Sequence, residues 1–332
     1  MLLGLLSAAA VLAVGMMLAL LAARLVGIAT RWVDSVLALA TGMLVAAVVW
    51  LIGITAIPAA FAAPVIALGG LFAVVVTLHQ RETGGARVAT VVFAAVMTAL
   101  VFTPLVTVVF ALWYDPFATG IGYLDLGSAL PVEVAAGAAV LAIALLDRRL
   151  ALSAAVPVAA WRLLWPALVL LAGWLAWLCG LELAIDQLTP VILLNTLLMP
   201  AAAIAAWAAV ERARHRRNSV RGLVYGMLAG LAAATPAAGY LIPELAVLTG
   251  LVVGAASALL PRRDGAATFG GILVIGGGAS LILLGLIAKD VSFIYTGQPE
   301  VIFGQVLTVV IGLVGGFVLG GAAWAALRLI RR

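Results

Sequence analysis

Lys and Arg fall in only every second gap between the long apolar runs of this chain. The runs cover residues 2–23, 35–53, 59–78, 88–110, 127–146, 163–184, 190–210, 222–241, 244–260, 269–287 and 301–327. Each approaches or exceeds the about 20 apolar residues that cross a bilayer as a helix. The odd-numbered gaps hold Arg24, Arg31, Arg81, Arg87, Arg148, Arg149, Arg162, Arg212, Arg214, Arg216, Arg217, Arg221, Arg262 and Arg263. The tail adds Arg328, Arg331 and Arg332, whereas the even-numbered gaps hold Lys289 alone. Cytoplasmic loops collect cations, and one missed or invented span would scramble the alternation. The pattern predicts an all-α integral membrane protein with eleven transmembrane helices, forming one domain over residues 1–332. Its N-terminus is expected outside and its C-terminus inside, in the inner (cell) membrane of a bacterium.

Composition supports the same class. Apolar residues make up 66% of the chain and charged residues 9%, against about 45–50% and about 25% in soluble domains. No soluble interior hides that excess from water. The runs lack the alternation of a membrane barrel, and their Ala and Gly favour close helix packing. Eleven spans accommodate five helices, five more in inverted orientation, and one extra, a common transporter plan. The first run lacks a basic leader, so it is read as a retained helix and not a cleaved signal.

Several functions are excluded at this point. The cations sit in short loops without a basic stripe, so nucleic acid is not an expected partner. Cys179 is the only cysteine, which rules out an internal disulfide framework. His79 and His215 stand far apart without a second ligand at metal spacing. No phosphate-binding loop of the Gly-x-x-x-x-Gly-Lys type occurs, and no nucleophile–base constellation lies within the spans. The chain reads as neither an enzyme nor a cofactor protein.

Charged residues within spans are costly and usually paired or functional. Glu133 is the clear instance, about two turns inside the fifth run. A neutral glutamate bonded to a neighbouring helix is the plain alternative, and a role in a pore is preferred. Asp125, just ahead of that run, reads first as a helix cap, a role compatible with attracting a cation. Glu182, Asp186 and Glu244 read as interfacial. Trp161 and Trp165 suit an interfacial belt, while Trp174 and Trp177, near the other end of the sixth run, suit either anchors or the lining of a vestibule.

Four stretches resemble one family. Asn195-Thr-Leu-Leu-Met-Pro-Ala-Ala-Ala-Ile-Ala-Ala-Trp207 is similar to the seventh helix of the ammonium transporter (Amt/Mep/Rh) family. Gly226-Met-Leu-Ala-Gly-Leu-Ala-Ala-Ala-Thr-Pro-Ala-Ala-Gly-Tyr240 resembles its eighth helix, and Gly173-Trp174 opens a match to the sixth. Asp125, Glu133 and Gly137 reproduce the spacing of its fifth-helix pattern, with Glu133 where the family carries a histidine, a replacement also seen in the fungal branch. The likeness spans about residues 60–325 and is strongest over 125–240.

The resemblance implies a homotrimer in lipid, each subunit carrying a narrow apolar pore below an outer vestibule that attracts ammonium. It places Trp177 at a gating ring and Phe110 at a second aromatic position. Leu181 stands at the vestibule serine, and the second pore histidine is replaced near Ile272 or Leu273. Only Asp264 remains of the acidic cluster that opens the tenth helix. The short tail is expected to leave little room for docking a nitrogen-regulatory protein.

Channel-type transport of ammonium or ammonia is the leading function. A non-conducting ammonium-binding sensor and a pore for another small neutral solute are the alternatives. Under the leading reading, ammonium is drawn toward Asp125 and the aromatic residues, gives up its proton at or above Glu133, and passes Leu273 mainly as ammonia. Fate of the proton is the open step, because the family's histidine relay is absent.

Overall fold

The computed structural model describes residues 2–26, 31–53, 57–78, 86–114, 122–147, 158–260 and 265–330. His79, Arg81, Arg148, Arg149, Arg262, Arg263, Asp264, Arg331 and Arg332 lie outside these residues. Among the described residues the regular elements are all helices, with no strand. Helices are what hydrocarbon permits, since every backbone donor must find a partner within its own segment.

The elements in order are α1 (Leu2–Val26), α2 (Trp32–Leu51) and α3 (Ala62–Val76), the last entered through the 3-10 turn Ala59–Phe61. Next comes α4, in which Arg87–Met97 and Thr103–Tyr114 are joined by a π turn at Thr98–Phe102. Helix α5 opens with a second π turn, Leu130–Ala135, and continues as Ala136–Leu146. There follow α6 (Ala160–Leu181), α7 (Thr189–His215), α8 (Val220–Ala237), α9 (Pro243–Ala258) and α10 (Ala266–Ile287). A short turn, Phe293–Thr296, precedes α11 (Glu300–Ile330).

All but α5, α8 and α9 are long and apolar enough, by length and composition, to cross a membrane. Helix α8 is enclosed by protein along nearly its whole length. Its Gly and Ala answer to neighbouring helices more than to lipid.

Packing register fixes the relative directions of the helices. Gly250 and Gly254 of α9 lie against Met199 and Ala203 of α7, in the same order, so these two run parallel. Gly312, Gly316 and Gly320 of α11 follow Val134, Ala135 and Ala139 of α5, also in parallel. Gly4 and Gly15 of α1 meet Pro64 and Leu71 of α3 in the same sense. By contrast, Gly137 meets Gly270 while Glu133 meets Gly277, so α5 and α10 are antiparallel. Helices α1 and α6 are antiparallel too, through Gly180 beside Ser7 and Gly173 beside Val14. Contacts between α2 and α3 have a counterpart in those between α7 and α8, while α1 packs on α6 and α5 on α10. The two groups of five helices therefore interlock.

Buried carboxylates pair with more exposed arginines at the Arg-bearing ends. Asp34 at the start of α2, 2% exposed, is paired with Arg31 and, at 3.3 Å, with Arg87 of α4. Asp147 at the end of α5 accepts from Arg328 of α11 at 2.7 Å. The Arg328 guanidinium also lies 5.6 Å from the centre of the Trp324 ring.

Candidate functional site around Glu133

The approach to α5 is built from hydrogen bonds that two helix ends leave open. The last carbonyls of a helix lack intrahelical donors. At the end of α8, Thr235 O accepts from Gly127 N at 2.9 Å and Pro236 O from Leu126 N at 3.2 Å. A Cβ on Gly127 would come within 2.5 Å of Thr235 Cγ2, so only glycine allows this approach. Ser128 then turns the chain with a φ of 62°.

Asp125 serves the other open end. Its carboxylate accepts from Ala129 N at 2.7 Å, Leu130 N at 3.0 Å and the Tyr123 hydroxyl at 2.9 Å. The capping role read from sequence is what these contacts describe, and it delays the start of α5 to Leu130 instead of 127. π turns inserted in α-helices recur at functional sites, and Glu133 lies in one.

Glu133 is 1% exposed. One oxygen, Oε1, accepts from the Thr235 hydroxyl of α8 at 2.5 Å. That hydroxyl in turn accepts from Trp174 Nε1 of α6 at 3.0 Å. The other oxygen, Oε2, has no partner. It faces Gly277 of α10, where an added Cβ would stand 2.5 Å from it. Ile272 and Leu273 are buried in α10, but the backbone directly against the carboxylate is that of Gly277, one helical turn from Leu273 toward the Asp125 side. Thr235 and Gly277 were not singled out from sequence. The Thr-Pro-Ala motif was the available signal for Thr235, while Gly277 carried none.

Trp174 and Trp177 are both buried, with ring centres 5.0 Å apart. Both rings are enclosed by the chain itself, and Trp177 Nε1 has no partner. A cavity of about 370 Å³ opens on the Asp125 side. Phe110, Asp125, Leu181, Glu182 and Asp186 border it, together with Phe61, whose ring centre lies 5.2 Å from that of Phe110. Glu182 and Asp186, read from sequence as interfacial, thus contribute acid to the cavity, and Glu182 also accepts from Thr189 at 2.5 Å. The acidic, aromatic-bordered cavity can attract a small cation, and Glu133, which does not line it, has an unpartnered oxygen that can take up a proton.

Comparison with known proteins bears on the chain as a whole. The sequence profile of the Ammonium Transporter Family matches residues 72–330. An ammonium transporter of Bacillus subtilis (strain 168) is 32% identical over 165 residues, which is 49% of this chain and 40% of that protein. Ammonium transporter 3 of Schizosaccharomyces pombe is 37% identical over 82 residues, 24% of this chain and 16% of that one. The chain thus aligns with less than half the length of these relatives. Among solved structures, one described as a sensor Amt protein superposes with a TM-score of 0.85 at 16% identity, covering 100% of this chain and 93% of that one. Saccharomyces cerevisiae Mep2 superposes with a TM-score of 0.80 at 19% identity, covering 97% and 86%. With the profile matched over most of its length, the chain belongs to the ammonium transporter family.

Proposed function

We propose that this protein carries ammonium-derived nitrogen across a membrane, through a path that passes Glu133 within each subunit. The observation that carries the reading is the Glu133 carboxylate, buried, bonded at one oxygen and unpartnered at the other. Ammonium enters the cavity, where Glu182 and Asp186 supply charge and the Phe110 face supplies cation–π attraction. At Glu133 an N–H bond of ammonium breaks and an O–H bond forms at the carboxylate, leaving ammonia and a neutral acid. Ile272 and Leu273 then favour the neutral species, since a bare ion loses hydration there at a cost of several kcal/mol. The proton returns to the side of entry, so net transport is of ammonia and carries no charge.

The same reading assigns the cavity to the outside, the Arg-bearing ends to the cytoplasm of a bacterial cell, and three subunits to one assembly. The parallel and antiparallel registers agree with helices that alternate in direction along the chain, as eleven crossings require.

Proteoliposome flux tests the reading. After an ammonium pulse, the unmodified protein should alkalinise the lumen without a current, and Glu133→Leu should abolish the signal. A large current unchanged by Glu133→Leu refutes this mechanism. Ammonium binding without either signal would assign the protein to the sensor class instead.

A further inference from the structure

Thr235 is more than a neighbour of Glu133. Its hydroxyl has one proton and two lone pairs, yet three groups lie within bonding distance. Trp174 Nε1, a donor only, takes one lone pair at 3.0 Å. Leu231 O, an acceptor only, stands 3.1 Å away one turn back along α8. Glu133 Oε1 stands at 2.5 Å and accepts or donates according to its charge. Two arrangements keep both the Trp174 bond and the Glu133 bond to the hydroxyl. With an ionised carboxylate, Thr235 donates to Glu133. With a neutral one, Glu133 donates to Thr235, whose own proton turns to Leu231 O. They differ by one proton and one hydroxyl rotation, and no helix has to move.

The surroundings leave this exchange in command of the site. Helices α3, α4, α10 and α11 pack around the π turn of Glu133, with α8 and α6 reaching it through Thr235 and Trp174. Their charged residues are Arg87, Arg162, Arg221, Glu300 and Arg328, all near helix ends. Mid-helix they present Gly277, Trp174 and Thr235. Asp125, on the segment before α5, is the remaining acid, and its oxygens are engaged by Tyr123, Ala129 and Leu130.

We propose that Thr235 is a positioning residue for proton transfer, its hydroxyl reversing direction so that Glu133 keeps a hydrogen-bond partner with and without the substrate's proton. The inference rests on the reading of Glu133 as the proton acceptor. Ammonium's proton arrives at the open Oε2, and rotation of the carboxyl exchanges its two oxygens, presenting the O–H to Thr235. Without the hydroxyl, the ionised state loses its donor, and a buried charge without a partner is the costlier of the two states. Glu133 then stays neutral and cannot accept a proton.

Infrared difference spectroscopy of the protein in lipid vesicles tests this apart from flux. An ammonium pulse should produce a carboxylic-acid band in the unmodified protein, and Glu133→Gln should remove it. Thr235→Val, close in shape but without a hydroxyl, should lose the band on the pulse and show a constant carboxylic acid at higher wavenumber. Thr235→Ser keeps the hydroxyl and should restore the difference band. A wild-type band in Thr235→Val, or a folded Thr235→Ser without one, overturns the role of Thr235 alone. Absence of the band from the unmodified protein overturns the reading of Glu133, and with it this inference.

Discussion

Glu133 and Asp125 are both buried carboxylates, and their partners give them different work. Asp125 is surrounded by three donors that orient two backbone N–H groups and a phenol. Asp125→Asn keeps the shape but turns an amide toward those donors. It should cost on the order of 1–3 kcal/mol, read as a lower unfolding temperature in detergent. Glu133 has a donor on one side and the bare backbone of Gly277 on the other. Gly277→Ala places a methyl 2.5 Å from Oε2, so the carboxylate must shift. Proton transfer depends on sub-ångström placement, and uptake should fall about tenfold or more while the folded peak in detergent chromatography is unchanged. Glu133 was legible in the sequence because a charge in an apolar run stands out. Thr235 was not, because a threonine acquires its role only when α8 is set beside α5, and no local pattern encodes that register.

Helices were legible because lipid leaves the backbone no other option, and the arginines marked one end of each apolar run. Their internal irregularities were not. The π turn of α4, Thr98–Phe102, lies just before Pro104, which cannot donate to the Leu100 carbonyl one turn back, a signal that marking apolar runs alone passes over. The late start of α5 goes with Leu126 and Gly127 donating to the end of α8 and with Asp125 accepting from the Ala129 and Leu130 amides. Helix contacts likewise follow from backbone approach at small residues, which sequence suggests and only packing assigns. A Cβ at Gly254 would stand 2.4 Å from Ala203 O, an atom of rigid helix backbone. Gly254→Leu should therefore separate α7 from α9, costing at least about 1–3 kcal/mol, visible as loss of the folded peak in detergent chromatography. Gly315 has open space where its Cβ would go, and Gly315→Ala on the same α11 as Gly316 should be tolerated in that assay.

For the whole molecule, the proposed sidedness makes a direct prediction. With Cys179 replaced by serine, a cysteine at exposed Gln298 should react with an impermeant maleimide added to intact cells, and one at exposed Asn218 only after permeabilisation. The opposite pattern at either site refutes the assignment. The interlocking of α5 with α10 and α11 has a further consequence for how the chain is made. Synthesis proceeds at about 5–20 residues per second, so the turn holding Glu133 leaves the ribosome roughly ten seconds before the helices that cover it. During that interval a carboxyl group must wait in or beside lipid, where a charge is expensive. Insertion therefore favours a nascent α5 held neutral or sheltered by the insertion machinery. A chain cut after α9 never receives its cover, and such a fragment should be degraded soon after insertion, while the chain that continues through α11 persists.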